Sequence, residues 1–408
     1  MGAPNPFRPG FAEPPSVLAG RDDVLDSADE ALAAAASDGY TPRPLLLVGP
    51  RGVGKTVLLA EVARRAGTAY GWPTLRTEVA GPVPLAAVLA ARAAALYNLV
   101  TQAPSHHRYQ VDQAVLRAGL AGMGGEVRLT RQPDEASSVL ALEAAFDGLA
   151  AAVEERQSGF VLLLDELQVA SHDDFAELAA LLQYGTGERW PMVVVGAGLP
   201  SLRGVTSGGA EPSLGYMERA DWHELGLLGQ ADTVVALQGP ATHAGRPMDD
   251  DAAELLADAT GGYPYAIQLY GKHAWRAARD RDRIDLAAAQ AAIGPAGAEL
   301  DRGLYASRWA RTPPREREYL RAAAELAGSG RPVTGRAVAE RLGLTTRAVD
   351  QYRARLISRG TLVPQGEVLD FAVPGMAGYV LRQPAEPATS RGRSPQAQRR
   401  AGPDHGPS

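Results

Sequence analysis

Eight consecutive residues, Gly49-Pro50-Arg51-Gly52-Val53-Gly54-Lys55-Thr56, have the types and spacing needed to hold a chain of phosphates. Glycines let the backbone curl until several N–H groups face one anion. A helix opening near Lys55 adds unpaired amides and the positive end of its dipole. Lys55 brings a mobile point charge to the outer phosphates, and the Thr56 hydroxyl can complete the shell of a magnesium ion. The expected ligand is a nucleoside triphosphate, ATP with Mg2+.

A second set of oxygens is expected at the end of Phe160-Val161-Leu162-Leu163-Leu164-Asp165-Glu166. Asp165 can order a magnesium-bound water, and Glu166 can polarise the water that attacks the terminal phosphate. Asp followed by Glu favours hydrolysis over passive storage of nucleotide. The apolar run Met192 to Val195 ends in Gly196-Ala197-Gly198, which offers no side-chain donor to an outer phosphate. Backbone amides or Gln168 take that role, or the chemistry is slow.

The elements that must position these groups follow from apolar periodicity. Leu45 to Val48 is short, fully apolar and ends at Gly49-Pro50, as a buried strand does. Pro73 to Val79, Phe160 to Leu164 and Met192 to Val195 supply further strands. Helical spacing covers Val24 to Ala36, Thr56 to Ala66, Leu85 to Val100, Val139 to Gln157 and Phe175 to Tyr184. Short apolar strands alternating with helices predict an α/β fold, a mostly parallel sheet covered on both faces. The pattern weakens from Thr101 to Ser138, which reads as an insertion. Beyond about Val234 strands give way to three helices, Asp250 to Ala259, Tyr265 to Arg279 and Leu286 to Ala298.

The expected division is a flexible lead-in at 1–19, a nucleotide-binding core at 20–233, a helical lid at 234–305, a further folded unit at 306–380 and a disordered tail at 381–408. A chain of 408 residues is long enough for two or three domains. The N-terminus has no secretory pattern and no apolar run reaches the length of a membrane span, so the expected compartment is the cytoplasm. Cysteine is absent, which excludes disulfides, thiolate metal sites and cysteine nucleophiles. His106-His107, His172, His223 and His243 show no ligand spacing. Trp222, Tyr263, Tyr265 and Tyr270 read as packing residues.

With these residues in place, Pro14 to Val380 resembles the AAA+ class of P-loop ATPases, near the origin-recognition ATPases and the signal-transduction (STAND-like) ATPases. Leu18-Ala19-Gly20-Arg21-Asp22 looks like the entry motif, in which Arg21 borders the adenine. Gly261-Gly262-Tyr263-Pro264-Tyr265 looks like the glycine-x-proline element, with Pro264 against base and sugar. The resemblance implies motion of lid against core, and a homo-oligomer in which one subunit's arginine reaches the neighbour's phosphate; Arg219 falls where that arginine lies. The lid arginine of many relatives is not evident, and Lys272 or His273 could substitute.

The net charge of −6 does not mark a nucleic-acid binder, yet Arg331 to Arg359 holds seven arginines against Glu340 and Asp350. Val333 to Ala339, a turn at Leu342-Gly343-Leu344-Thr345 and Thr346 to Ser358 have the layout of a helix-turn-helix. Gly360 to Val363 and Val368 to Phe371 then resemble a two-stranded wing. Thr346, Arg347, Gln351 and Arg355 would face double-stranded DNA. The wing carries no base, which counts against tight DNA binding and leaves a protein partner open beside DNA. The sequence thus leaves three functions open: an ATP-driven switch that moves the C-terminal unit against DNA or protein, a signalling adaptor that holds ATP with little hydrolysis, and a DNA-binding regulator with a structural nucleotide.

Overall fold

The computed structural model describes residues 4–10, 14–38, 41–81, 83–102, 135–206 and 214–384. The histidine pair at 106–107, most of the expected insertion and the arginine-bearing tail lie outside the described residues. Five strands make one parallel sheet: β1 Leu45–Val48, β2 Thr74–Glu78, β3 Phe160–Asp165, β4 Met192–Gly198 and β5 Asp221–Glu224. Their spatial order is β2-β3-β4-β1-β5.

β1, β3 and β4 are buried along their whole length because both faces of the sheet are covered. Leu45, Leu47, Val161, Leu163, Val193 and Val195 pack with α1 (Asp22–Asp38) and α2 (Lys55–Tyr70). Leu46, Val48, Leu162, Leu164 and Val194 pack with α3 (Leu85–Gln102), α4 (Glu135–Glu154) and α5 (His172–Gly187). Residues that alternate in direction therefore all need to be apolar, which is why the strands read as unbroken runs. α3 is long and apolar enough to cross a membrane by length and composition. Here its Leu85, Leu89, Ala93, Leu96 and Val100 are buried in this second core.

α6 (Leu202–Thr206) and α7 (Leu214–Glu218) lead from β4 to β5. Beyond the sheet come α8 (Gln230–His243), α9 (Asp250–Thr260), α10 (Pro264–Ala277) and α11 (Leu286–Leu300). α11 runs without a break through a π turn at Asp301–Tyr305 into α12 (Ala306–Ala310). α13 (Pro314–Gly328), α14 (Gly335–Leu342) and α15 (Thr346–Ser358) follow, then an antiparallel ribbon of β6 (Leu362–Gln365) and β7 (Val368–Phe371), and α16 (Met376–Arg382).

Three features depart from the sequence reading. β5 and α8 carry weak local signals: β5 is the polar Asp-Trp-His-Glu, a strand only because it pairs with β1, and α8 contains Pro240. The lead-in expected to be flexible is in part docked, with Phe7 2% exposed in the lid core. A Cβ at Gly271 would stand 2.4 Å from the Phe7 ring, so this helical glycine makes the room. Finally, one apolar core holds both Leu256 and Ile267 of the lid and Leu320, Val338 and Leu356 of the C-terminal unit, across the boundary expected at 305.

Candidate nucleotide site

Parallel pairing brings five strand ends to one edge of the sheet. Val48 is opposite Gly198 and Glu224, and Asp165 is opposite Glu78. The phosphate loop leaves β1 at this edge. The Gly49 amide donates to the Gly198 carbonyl at 3.2 Å. A Cβ at Gly49 would come within 2.2 Å of the Leu225 carbonyl, so the chain just after β5 passes too close for any side chain here. Gly52 and Gly54 have φ of +88° and +99°, the left-handed region that side chains avoid.

Lys55 opens α2 and is only 8% exposed. Its Nζ donates to the Gly49 and Pro50 carbonyls at 2.7 and 2.8 Å, curling the loop around the ammonium. Burial lowers its pKa to about 8, against the raising influence of Glu166 and Asp165, while Arg51 lowers it further. A cation so desolvated gains more from a phosphate than one in water does.

The Thr56 hydroxyl donates to Asp165 Oδ2 at 2.8 Å, and Arg76 stands 3.7 Å from the same oxygen. A hydroxyl and a carboxylate side by side are hard oxygen donors that fit Mg2+. Among the described residues no cluster of three or more His, Asp or Glu could hold a metal by itself. Phosphate oxygens and water would have to complete such a shell. Glu166, one residue on, has φ +56° and ψ +36°. This strained backbone turns its carboxylate to Arg51 at 3.3 Å and to the Gln168 amide. Gln168 in turn accepts from the Leu199 amide at 2.8 Å. Gln168 thus links Glu166 to the tip of β4, the place where a side chain was missing from the strand itself.

Other elements close the mouth. Arg21 donates to the carbonyls of Val53 at 3.2 Å and Gly226 at 2.8 Å, tying the loop to the chain that leads into the lid. From the lid, Tyr263 precedes Pro264, the first residue of α10, and donates through its hydroxyl to the Arg51 carbonyl at 3.3 Å. A Cβ on Gly52 would meet that hydroxyl at 1.9 Å. From the C-terminal unit, Gly360 sits against Leu199 and Arg51, and Arg308 on α12 has Tyr263 and Arg51 as electrostatic neighbours. Sequence reasoning took Tyr263 for packing and missed Arg308 and Gly360, since nothing local marks them.

The remaining candidates lie elsewhere. Arg219 is exposed just before β5, and the Asp221 amide binds the Pro44 carbonyl, so Arg219 is at the opposite end of the strand from this chain's own loop. Lys272 and His273 both bind Glu299, at 2.6 and 2.8 Å, which commits them within the lid. Thr346, Arg347, Gln351 and Arg355 are exposed along α15. Arg355 binds Gln351 at 3.0 Å, and with Arg359 it flanks Glu316, which is 1% exposed. Arg336 pairs with Glu340 and Arg341 with Glu325. Carboxylates from α13, outside the arginine-rich stretch, offset much of its charge.

Strand order, loop and acidic strand end together give this part of the chain the parallel-sheet core of an AAA+-type P-loop fold. A family model described as an AAA ATPase domain matches residues 17–195. A second, described as a domain of unknown function (DUF8462), matches residues 302–380. No curated protein matches the chain. Among solved structures it is similar to the Walker-type ATPase PABY2304 of Pyrococcus abyssi, at 17% identity over 89% of this chain and 96% of that one, with a TM-score of 0.58. It is also similar to the ORC1 protein of Aeropyrum pernix, solved with DNA, at 17% identity over 93% and 96% (TM-score 0.48). The RuvB Holliday junction branch migration motor of Thermotoga maritima gives 17% identity over 91% and 98% (TM-score 0.46). At 17% identity the likeness to the Pyrococcus abyssi protein, with its TM-score of 0.58, establishes a shared fold.

Proposed function

We propose that the chain is a Mg2+-dependent ATPase that works as a nucleotide-controlled switch, repositioning its C-terminal unit against DNA or a protein partner. The observation that carries this reading is the shared mouth: core, lid and C-terminal unit all supply residues around one phosphate loop. An anion entering the loop competes with the Lys55 contacts to Gly49 and Pro50 and meets Arg51, whose carbonyl holds Tyr263. Differential contacts of that kind are what a ligand needs to shift a conformational equilibrium. The unbroken helix from Leu286 to Ala310 gives the lid and the C-terminal unit a common lever.

In hydrolysis, the loop amides and Lys55 would hold the phosphates, and Thr56 and Asp165 would hold magnesium, which when bound would neutralise phosphate charge. Glu166 accepts the proton of the attacking water once it parts from Arg51. That ion pair also lends support to the second reading, an adaptor that keeps ATP with little turnover until a partner releases Glu166. Arg219, exposed and remote from its own loop, suits a role in a neighbouring subunit's site. In the C-terminal unit, helices α14 and α15 with the β6–β7 ribbon read as a winged helix.

The test is steady-state hydrolysis of MgATP by the full chain, with and without duplex DNA. Turnover raised by DNA supports a DNA-coupled switch. Negligible turnover in every condition, with tight MgATP binding retained, would replace the switch by the adaptor.

A further inference from the structure

Charged side chains around the mouth are mostly paired: Arg51 with Glu166, Arg76 with Asp165, Arg203 with Glu224. Arg308 is not. It is half-buried on α12, and among the described residues its guanidinium has neither a hydrogen bond nor an ion pair. Its electrostatic neighbours are the phenols of Tyr263 and Tyr305 and the guanidiniums of Arg51 and Arg311. Burial raises the pKa of both phenols, so they stay neutral and offer no counter-charge. A partly desolvated guanidinium among like charges is unfavourable unless an anion joins it.

The surrounding geometry says where that anion belongs. Tyr263, one of the phenols beside Arg308, lies on Gly52 and binds the Arg51 carbonyl within the phosphate loop. Gly360 brings the turn between α15 and β6 against Arg51 and Leu199, so the C-terminal unit is already seated on this rim. Tyr305, four residues after the start of the π turn, is anchored by its hydroxyl to the Pro374 carbonyl at 2.5 Å. A π turn re-aims the residues after it, and Arg308 is three positions beyond Tyr305.

We propose that Arg308 is a phosphate ligand, joining Arg51 at the outer end of the bound triphosphate, so that the C-terminal unit itself reads whether that outer phosphate is present. The inference rests on the nucleotide reading above and deepens it. Arg308 supplies from α12 an outer-phosphate arginine of the kind not evident in the lid, and loss of that phosphate releases the lever that carries it.

Calorimetric titration of the full chain with MgATP and MgADP tests this, using wild type, Arg308→Ala, Arg308→Lys and Lys55→Ala. Loss of a charge-assisted phosphate contact should weaken MgATP binding in Arg308→Ala by about 10- to 100-fold. MgADP should weaken less, and Arg308→Lys should recover part of the MgATP affinity. The melting midpoint of Arg308→Ala without nucleotide should be unchanged or higher, because an unpaired cation has been removed. If Arg308→Ala binds MgATP like wild type while Lys55→Ala does not bind, Arg308 is not a ligand and the nucleotide reading stands. A lowered nucleotide-free midpoint, with no recovery in Arg308→Lys, would make Arg308 structural and also overturn the proposal. If wild type binds no MgATP, both inferences fall together.

Discussion

Glu166 is held by Arg51 and Gln168 on a left-handed backbone, with its carboxylate beside the groups that would surround a terminal phosphate. Glu166→Gln keeps the shape and one hydrogen-bonding oxygen but cannot accept a proton. Turnover of MgATP should fall by about 10²- to 10⁴-fold with binding preserved, read by phosphate release beside calorimetry. Equal turnover would remove Glu166 from the chemistry. Gly52→Ala joins a positive φ to a Cβ that would overlap the Tyr263 hydroxyl, so it should displace the lid tyrosine and weaken nucleotide binding. Tyrosine fluorescence and a binding titration report both effects. At this scale the loop and the Asp165-Glu166 pair were legible because each is contiguous in sequence. The Arg51–Glu166 pair, the Gln168 bridge and Arg308 were not, because each depends on residues that only folding brings together.

Elements with two buried faces announce themselves, and those with one polar face do not. β1, β3 and β4 were readable as apolar runs, whereas β5 exists through its pairing with β1 and α8 persists despite Pro240. Leu162, with no exposed surface between β2 and β4, should cost about 2–5 kcal/mol of stability on replacement by alanine, measured by denaturant unfolding. α15 is started by Thr345, whose side chain accepts from the Ala348 amide; Thr345→Ala should cost about 1 kcal/mol. Its far end is fixed differently. Arg359 binds the buried Glu316 at 2.5 Å, so Arg359→Ala leaves a buried carboxylate with Arg355 alone at 3.6 Å and should cost about 1–3 kcal/mol. The arginine content of this helix was visible in sequence. The α13 acid that binds it, Glu316, was not, because only folding brings α13 against α15.

Across the whole molecule, nucleotide chemistry and the C-terminal unit meet at one mouth. Phe7 and the shared core make lid and C-terminal unit a single packed body in which α11, the π turn and α12 are continuous. If α15 meets DNA through phosphate contacts, its affinity should fall steeply between about 0.05 and 0.2 M salt, and Arg347→Ala should flatten that slope. Binding indifferent to salt would assign the surface to another partner. Arg219→Ala should lower turnover only where chains associate, so its effect should vanish on dilution below the association range. Everything at this scale presupposes that the loop after β1 holds a magnesium-bound triphosphate. The most direct measurement is calorimetric titration of the full chain with ATP, with and without Mg2+, beside Lys55→Ala. Saturable, magnesium-dependent binding in wild type and none in the variant is the result predicted; equal binding by both chains, or none by either, would contradict it.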